Sequence, residues 1–105
     1  MSTKEEHYEQ GFNFFAKGLV DEAIAEYQKA IALDPQFTMA YLALSMAYEK
    51  KEALDEAIVT IKKAIELDPQ DPLLHTSLSR FYQKKGMIPE AEQEKAIAGS
   101  LQRKF

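Results

Sequence analysis

The sequence predicts an all-α fold, an α-α superhelix or solenoid in which three units of two helices stack. The first observation is a repeat: residues 20–36 read VDEAIAEYQKAIALDPQ, and residues 54–70 read LDEAIVTIKKAIELDPQ. The second is its period, because Ala23, Ala57 and Ala91 follow one another at intervals of 34 residues. The third is that apolar residues recur with helical spacing, without the alternation typical of strands. A repeat of this length is typical of stacked helical arrays.

The first unit carries the signals of two helices. Thr3 is a suitable N-cap for a helix over roughly residues 4–17, and Gly18 ends that helix. Asp21 and Glu22 then place negative charge at the start of a second helix, where unpaired N–H groups favour it.

The second unit repeats these signals. A helix is predicted near residues 38–51, and Asp55 and Glu56 supply the acidic start of the next one. Both units close at an Asp-Pro pair, at residues 34–35 and 68–69, because a helix rarely continues through the residue before proline.

The third unit begins with Asp71 and Pro72, a suitable N-cap followed by a first-turn proline. Gly86 separates its two helices, and Pro89 lies where a missing N–H costs nothing. A chain of 105 residues has the size of one domain. The predicted organisation is a single domain with three repeats, approximately 4–37, 38–71 and 72–105.

The amino-acid composition excludes some classes of binding partner. Thirteen basic residues against seventeen acidic ones give a net charge of -4, which repels nucleic acid and anionic membranes. The chain has no cysteine and no run of eighteen apolar residues, and its first residues show no leader pattern. We therefore expect a cytoplasmic protein that neither binds nucleic acid nor inserts into membranes.

Catalytic and metal-binding signals are weak. His7 and His75, the two histidines of the chain, stand two periods apart with Tyr41 at the same repeat position between them. They are expected to be equivalent packing positions, because the ligands of one metal lie within a few ångströms of each other. Motifs of nucleophilic, zinc-dependent and phosphate-binding enzymes are absent. We expect no enzyme, no cofactor and no metal site.

Small and large residues alternate at fixed positions of the repeat. The series is Gly11, Phe14, Ala23, Tyr27, Ala30 and Pro35, and it recurs as Ser45, Tyr48, Ala57, Ile61, Ala64 and Pro69. This pattern resembles the tetratricopeptide repeat, and the resemblance covers essentially the whole chain as three repeats. In the third repeat, Lys95 stands where Tyr27 and Ile61 stand, and Arg103 stands where the prolines stand. Such changes suit a terminal unit whose outer face meets water.

The helix predicted near residues 38–51 is apolar on every side, because residues 39–48 read MAYLALSMAY. Neighbouring helices cover two of its faces, and Met39, Leu42 and Met46 form a third. The resemblance implies that this third face lines a concave groove, which also receives Tyr8, Phe12, Phe15 and Leu73. Methionine and aromatic side chains suit an apolar peptide or an amphipathic helix. The alternative is that these side chains pack against one another in a tightly wound array.

Three basic residues, Lys50, Arg80 and Lys84, are expected to form a polar rim at one end of the groove, facing acidic groups of a ligand. Some members of the family grip the C-terminal carboxylate of a chaperone tail with lysine, asparagine and arginine side chains. The positions that match this clamp hold Tyr8, Phe12, Ala43, Leu73 and Ser77. They offer at most two weak hydroxyl donors, so we do not expect a co-chaperone role by that mechanism.

The predicted function is a non-catalytic adaptor that binds a partner protein in its groove, with a dissociation constant of order micromolar. Leu42→Arg or Met46→Glu is expected to abolish binding without unfolding the protein. The alternative is a structural or assembly subunit that homo-oligomerises, or sits permanently in a larger complex, through its third repeat. An apolar stripe that no further helix covers favours this alternative. Its predicted oligomer contacts are Ala98, Leu101 and Phe105.

Overall fold

The computed structural model describes residues 2–103, which fold into six α-helices and contain no β-strand. The helices are α1 (Lys4–Ala16), α2 (Val20–Leu33), α3 (Thr38–Lys50), α4 (Leu54–Leu67), α5 (Pro72–Lys84) and α6 (Ile88–Gln102). The all-helical prediction is confirmed, and the six helices fit three repeats. No helix in the described range is both long and apolar enough to cross a membrane.

Side-chain caps fix where α1 and α5 begin. Thr3 Oγ1 accepts a hydrogen bond from the backbone N–H of Glu6 at 3.1 Å, and Glu6 Oε1 accepts one from the N–H of Thr3 at 2.9 Å. This reciprocal capping box satisfies two N–H groups at the helix end. At α5, Asp71 Oδ1 accepts from the N–H of Leu73 at 2.9 Å, and Pro72 takes a first-turn position.

The turn inside each helix pair requires one residue with a left-handed backbone. Gly18 has a φ of 79° and Gly86 a φ of 78° in the first and third pairs. In the middle pair the same repeat position holds Glu52, with a φ of 63°. A residue with a Cβ atom costs roughly 1–2 kcal/mol in this region. The middle turn therefore carries strain that was not predicted from the sequence.

Alanines let the helices approach closely. Each helix packs against its own partner, and α2 also packs against α3, as α4 does against α5. Seven alanines have no exposed surface at all: Ala23, Ala30, Ala40, Ala47, Ala57, Ala64 and Ala91. Because a larger side chain at these positions would push the helices apart, the alanines set the spacing of the stack.

Larger side chains fill the space that remains between the units. Ile61, Leu74 and Phe81 are fully buried where the second unit meets the third. In the first unit the ring of Tyr27 is buried directly beneath Gly11. This burial raises the pKa of Tyr27 to about 12.

The third unit does not expose the predicted apolar stripe. Ala98 and Leu101 are only 5% and 8% exposed, because α6 packs against α5 and turns these residues inward. The expectation that they form an uncovered oligomer contact is therefore wrong. Phe105 lies outside the described residues.

Three positions of α6 are polar or small where the other two units carry large apolar residues. Glu92 replaces Ile24 and Ile58, Lys95 replaces Tyr27 and Ile61, and Gly99 replaces Ile31 and Ile65 at the same repeat positions. Two of the three, Glu92 and Lys95, are exposed. This face of α6 is thus suited to contact with water.

Gly11→Ala is expected to lower the free energy of unfolding by roughly 1–3 kcal/mol. The added Cβ would lie 2.5 Å from Cε1 and 2.6 Å from Cδ1 of Tyr27, and the Tyr27 ring is itself buried. Urea unfolding followed by circular dichroism measures the change.

The matched control is Gly99→Ala in α6, where the only contact of the new Cβ with the described residues would be with the Arg103 side chain, at 3.6 Å. This variant is expected to gain about 0.5–1 kcal/mol, because alanine is the better helix former. Equal stability of the two variants would contradict the tight contact between Gly11 and Tyr27.

Candidate protein-binding groove

A shallow apolar depression lies where α1 meets α3. We call it the inner groove. Its volume is about 100 Å³, and its lining residues are Tyr8, Phe12, Phe15, Tyr27, Met39, Leu42, Ala43 and Met46. Six of the seven apolar residues predicted to bind a partner are therefore brought together here. The seventh, Leu73, lies on α5 outside this lining and is 53% exposed.

Helical spacing explains why these side chains meet. The three lining residues of α1 are spaced by four and three positions, and those predicted on α3 by three and four. Residues with this spacing share one face of a helix. Because α1 and α3 are in contact, their two apolar faces adjoin and form one surface.

The inner groove has a buried floor and exposed walls. Leu42 is only 6% exposed and belongs to the main core cluster. Phe12, Met39 and Met46 are 61%, 47% and 41% exposed. Leu42→Arg would place a charge in the core, so from the structure we expect this change to destabilise the fold, in contrast to the expectation from the sequence. Met46 can be changed with much less effect on packing.

Tyr8 is fixed in place by two aromatic neighbours. Its ring centroid lies 6.0 Å from that of Tyr27 and 5.3 Å from that of Phe37, with tilted rings. Such contacts contribute about 0.5–1.5 kcal/mol beyond the buried area. The alternative, that the groove residues only pack against one another, thus holds for Tyr8 and Leu42. It does not hold for the exposed walls.

An internal ion-pair network occupies much of the predicted polar rim. Arg80 donates from Nε to Glu49 Oε2 at 2.8 Å and from Nη2 to Glu49 Oε1 at 3.0 Å. Lys84 Nζ lies 3.4 Å from the same Glu49 Oε2. The hydrogen bond from Arg80 lowers the pKa of the Glu49 carboxyl and raises the pKa of the Arg80 guanidinium. Arg80 and Lys84 therefore join α5 to α3, and a contact of either residue with a ligand stays a prediction.

Lys50 lies in a second depression that continues the inner groove. This depression has a volume of about 360 Å³ and shares Phe15 and Met46 with the inner groove. Its other lining residues are Glu49, Lys50, Glu52 and Lys84. The two acidic and two basic groups make this end of the surface polar with little net charge.

Four lining residues of these two depressions were not predicted from the sequence: Tyr27, Ala43, Glu49 and Glu52. Tyr27 belongs to the buried apolar stripe of α2. The spacing of residues along α2 does not show that Tyr27 lies beneath a groove formed by α1 and α3. Ala43 has a small side chain, so nothing in the sequence assigned it to the apolar face that lines the groove. Glu49 did have a signal, because it lies one helical turn after Met46 and so shares its face.

The histidines form equivalent contacts in the first and third units. His7 Nδ1 lies 2.8 Å from Glu26 Oε1, and His75 Nδ1 lies 2.8 Å from Glu94 Oε1. The hydrogen bond with His7 lowers the pKa of Glu26. Each pair joins the two helices of its unit. Within residues 2–103, no group of three or more His, Asp or Glu residues could hold a metal ion.

Sequence comparison agrees with this architecture. The family model of the tetratricopeptide repeat matches residues 14–81, well over half of the chain. The chain belongs to the tetratricopeptide repeat family. The resemblance seen in the spacing of small and aromatic residues is confirmed, and the tetratricopeptide repeat is a helical scaffold used in protein interaction. No curated protein matches the sequence at a significant level.

Several solved tetratricopeptide repeat structures share the fold. A crystal structure of MamA is 28% identical, with a TM-score of 0.94 over 97% of this chain. The second tetratricopeptide repeat domain of Spaghetti (RPAP3), bound to the HSP90 peptide SRMEEVD, is 25% identical, with a TM-score of 0.89. The match covers 95% of this chain and 93% of that domain. This chain spans 60% of that MamA chain and 56% of another.

A more distant structure shows the fold alone. The Yersinia enterocolitica type III secretion translocator chaperone SycD is 23% identical, with a TM-score of 0.90 over 93% of this chain and 74% of its own.

Arg80→Met is expected to lower the free energy of unfolding by about 1–2 kcal/mol at neutral pH. The Glu49 side chain is only 14% exposed and would lose both hydrogen bonds from the guanidinium. Lys63→Met is the control, because it removes an exposed pair with Glu66 and should change stability by less than about 0.5 kcal/mol.

The same variant is expected to change the response to acid. The pKa of Glu49 in the folded protein lies below its ordinary value of 4.5, so its contribution is complete above pH 4.5 and is lost as pH falls through the folded value. Arg80→Met should therefore lose less stability than the wild type below pH 4.5. Parallel stability curves for the two proteins, measured by urea unfolding from neutral to acidic pH, would contradict the ion pair.

Proposed function

We propose that the inner groove binds an apolar segment of a partner protein, either a short peptide or one face of an amphipathic helix. One observation carries the proposal: Phe12, Met39 and Met46 remain substantially exposed around a lining whose polar atoms are confined to two tyrosine hydroxyls. Covering exposed apolar surface is favourable by about 25 cal/mol per Å². Binding of an apolar ligand would remove these side chains from water and would be stabilised by this free energy.

The size of the inner groove limits the anchor that enters it. A cavity of about 150 Å³ binds benzene, so a volume of about 100 Å³ fits one aliphatic side chain such as leucine or methionine. Leu42 and Tyr8 would form its fixed base, while the two methionines adapt their shape to the ligand. With one such anchor and a small surrounding contact, we expect a dissociation constant of order micromolar.

The structural relatives support this class of function without supplying the ligand. RPAP3 is described with an acidic peptide, whereas the matching clamp positions here include Ala43 and Leu73. Ser77, also at such a position, is 2% exposed and donates its hydroxyl to the backbone oxygen of Leu73 at 3.1 Å. These groups do not favour a carboxylate. The proposed ligand is therefore defined by an apolar side chain and not by an acidic terminus.

Assembly through the third repeat is not the function that we propose. Ala98 and Leu101, on which it depended, are buried within their own helix pair.

Met46→Glu is expected to weaken binding of apolar peptides at least tenfold, because it places a charge on the wall of the groove. The probe is a displayed library of random peptides selected on the wild-type protein, followed by fluorescence polarisation of the enriched peptides. Selected sequences should share one leucine, isoleucine or methionine.

Ile88→Glu is the matched control. It exchanges an apolar side chain of similar exposure, 51%, at the start of α6 and outside the groove. This variant should bind the selected peptides as the wild type does, and circular dichroism should show both variants folded. Peptides that bind Met46→Glu as tightly as the wild type would overturn the proposal.

A further inference from the structure

A larger depression lies between α2 and α4, above α3. Its volume is about 620 Å³, and its lining residues are Gln28, Ile31, Tyr41, Leu44, Val59, Thr60, Lys62, Lys63 and Glu66. A neighbouring depression shares Val59 and Thr60 with it and adds Tyr48, Asp55 and Glu56. We call the two together the outer groove. It shares no residue with the inner groove.

Beside the outer groove, the middle unit lacks a side-chain bridge that the other two units have. The pairs of His7 with Glu26 and of His75 with Glu94 span the two helices of the first and third units. At the same repeat positions, the middle unit carries Tyr41 and Thr60.

Neither of these two hydroxyls bridges the helices of the middle unit. Tyr41 donates to the backbone oxygen of Pro35 at 2.9 Å, and Thr60 donates to the backbone oxygen of Glu56 at 2.7 Å. Both bonds stay within their own segment of chain. Neither hydroxyl therefore crosses from α3 to α4 beside the outer groove, whose lining includes the apolar side chains of Ile31 and Leu44.

An apolar side chain protrudes beside this space. Val59 is 70% exposed, and it faces both parts of the outer groove. The same repeat position holds Ala25 in the first unit and Gln93 in the third. Only the middle unit therefore presents a branched apolar side chain here.

Charges of opposite sign flank Val59 along α4. Glu56 lies one turn before it and Lys63 one turn after it, and both are exposed. If a second α4 lies antiparallel to the first, Glu56 of each helix faces Lys63 of the other, with Val59 at the centre. The face is thus complementary to itself. Asp55 and Lys62 have the same spacing along α4, and Lys62 Nζ lies 5.8 Å from the centre of the Tyr82 ring on α5.

The existing contacts of these charges do not prevent such pairing. Asp55 pairs with Lys85, and Lys63 pairs with Glu66, but both acidic partners are more than two-thirds exposed. Exposed ion pairs contribute about 0–1 kcal/mol and exchange readily. Among the ion pairs within residues 2–103, none involves Glu56.

We propose that the outer groove is a self-association surface, in which α4 of a second copy of the chain lies antiparallel along α4 about a two-fold axis beside Val59. Such a contact is isologous, so each copy offers the same surface. One helix face buries less than the roughly 800 Å² per partner of a standard interface. The association is therefore weak, with a dissociation constant between about 10 µM and about 1 mM.

Charge exchange across the axis provides the test. Glu56→Lys and Lys63→Glu each place like charges opposite one another, so each variant alone should associate at least about tenfold more weakly. The double variant carrying both changes restores opposite charges across the axis and should associate like the wild type. An equimolar mixture of the two single variants should also associate, because α4 of one chain then carries lysine at positions 56 and 63 and α4 of the other carries glutamate at both.

Sedimentation equilibrium from about 10 µM to about 1 mM protein measures these associations, and circular dichroism verifies that each variant is folded. Restoration by the double variant is specific to a second copy, since a foreign partner would keep its own charges. A wild-type protein that is monomeric over this range would overturn the proposal. So would single variants that associate like the wild type, or a double variant that stays monomeric.

A cross-link gives an independent readout, because the chain has no native cysteine. Val59→Cys should form a disulfide-linked dimer under mild oxidation, since the axis brings the two thiols together. Ala25→Cys, at the equivalent exposed position of the first unit, should form far less. Equal yields of the two dimers would contradict the proposed axis.

Discussion

The close approach of helices at buried alanines is the constraint on which the rest of the structure depends. These alanines recur every 34 residues, as at Ala23, Ala57 and Ala91, and none of the three has any exposed surface. Because the spacing is fixed at the same positions in each unit, side chains at equivalent positions fall into line along the stack. Leu42 then forms the floor of the inner groove between α1 and α3, and the groove residues around it form its exposed walls.

The middle unit contributes to both proposed surfaces because it lies between the other two units. Its α3 supplies Met39 and Met46 to the inner groove, and its α4 presents Val59 beside the outer groove. The outer units are closed differently. Each joins its own helices through a histidine and a glutamate, and three positions of α6 carry polar or small residues such as Lys95. Sequence differences among the three similar units therefore determine which surfaces are bridged or polar and which keep exposed apolar side chains.

Much of the fold was predictable, because helix caps, prolines and a strict repeat are local signals. Thr3, Asp71 and Gly18 act where the sequence placed them. The site was predictable only in part. Helical spacing grouped the inner groove residues by face, but it did not show that Leu42 is a floor, since depth depends on how closely two helices approach. The pairing of Arg80 with Glu49 depends on the rotation of α5 against α3, which no pattern within one helix records. The strain at Glu52 did have a sequence signal, because Glu52 stands 34 residues from both Gly18 and Gly86.

Methyl NMR of the methionines tests the central claim most directly. The chain has four methionines; Met39 and Met46 line the inner groove, whereas Met87 packs against the core near α6. On titration with a peptide selected for binding, the methyl signals of Met39 and Met46 should shift together and saturate at the same peptide concentration, while the Met87 signal stays in place. A peptide that binds yet leaves the Met39 and Met46 signals unmoved would contradict binding in the inner groove.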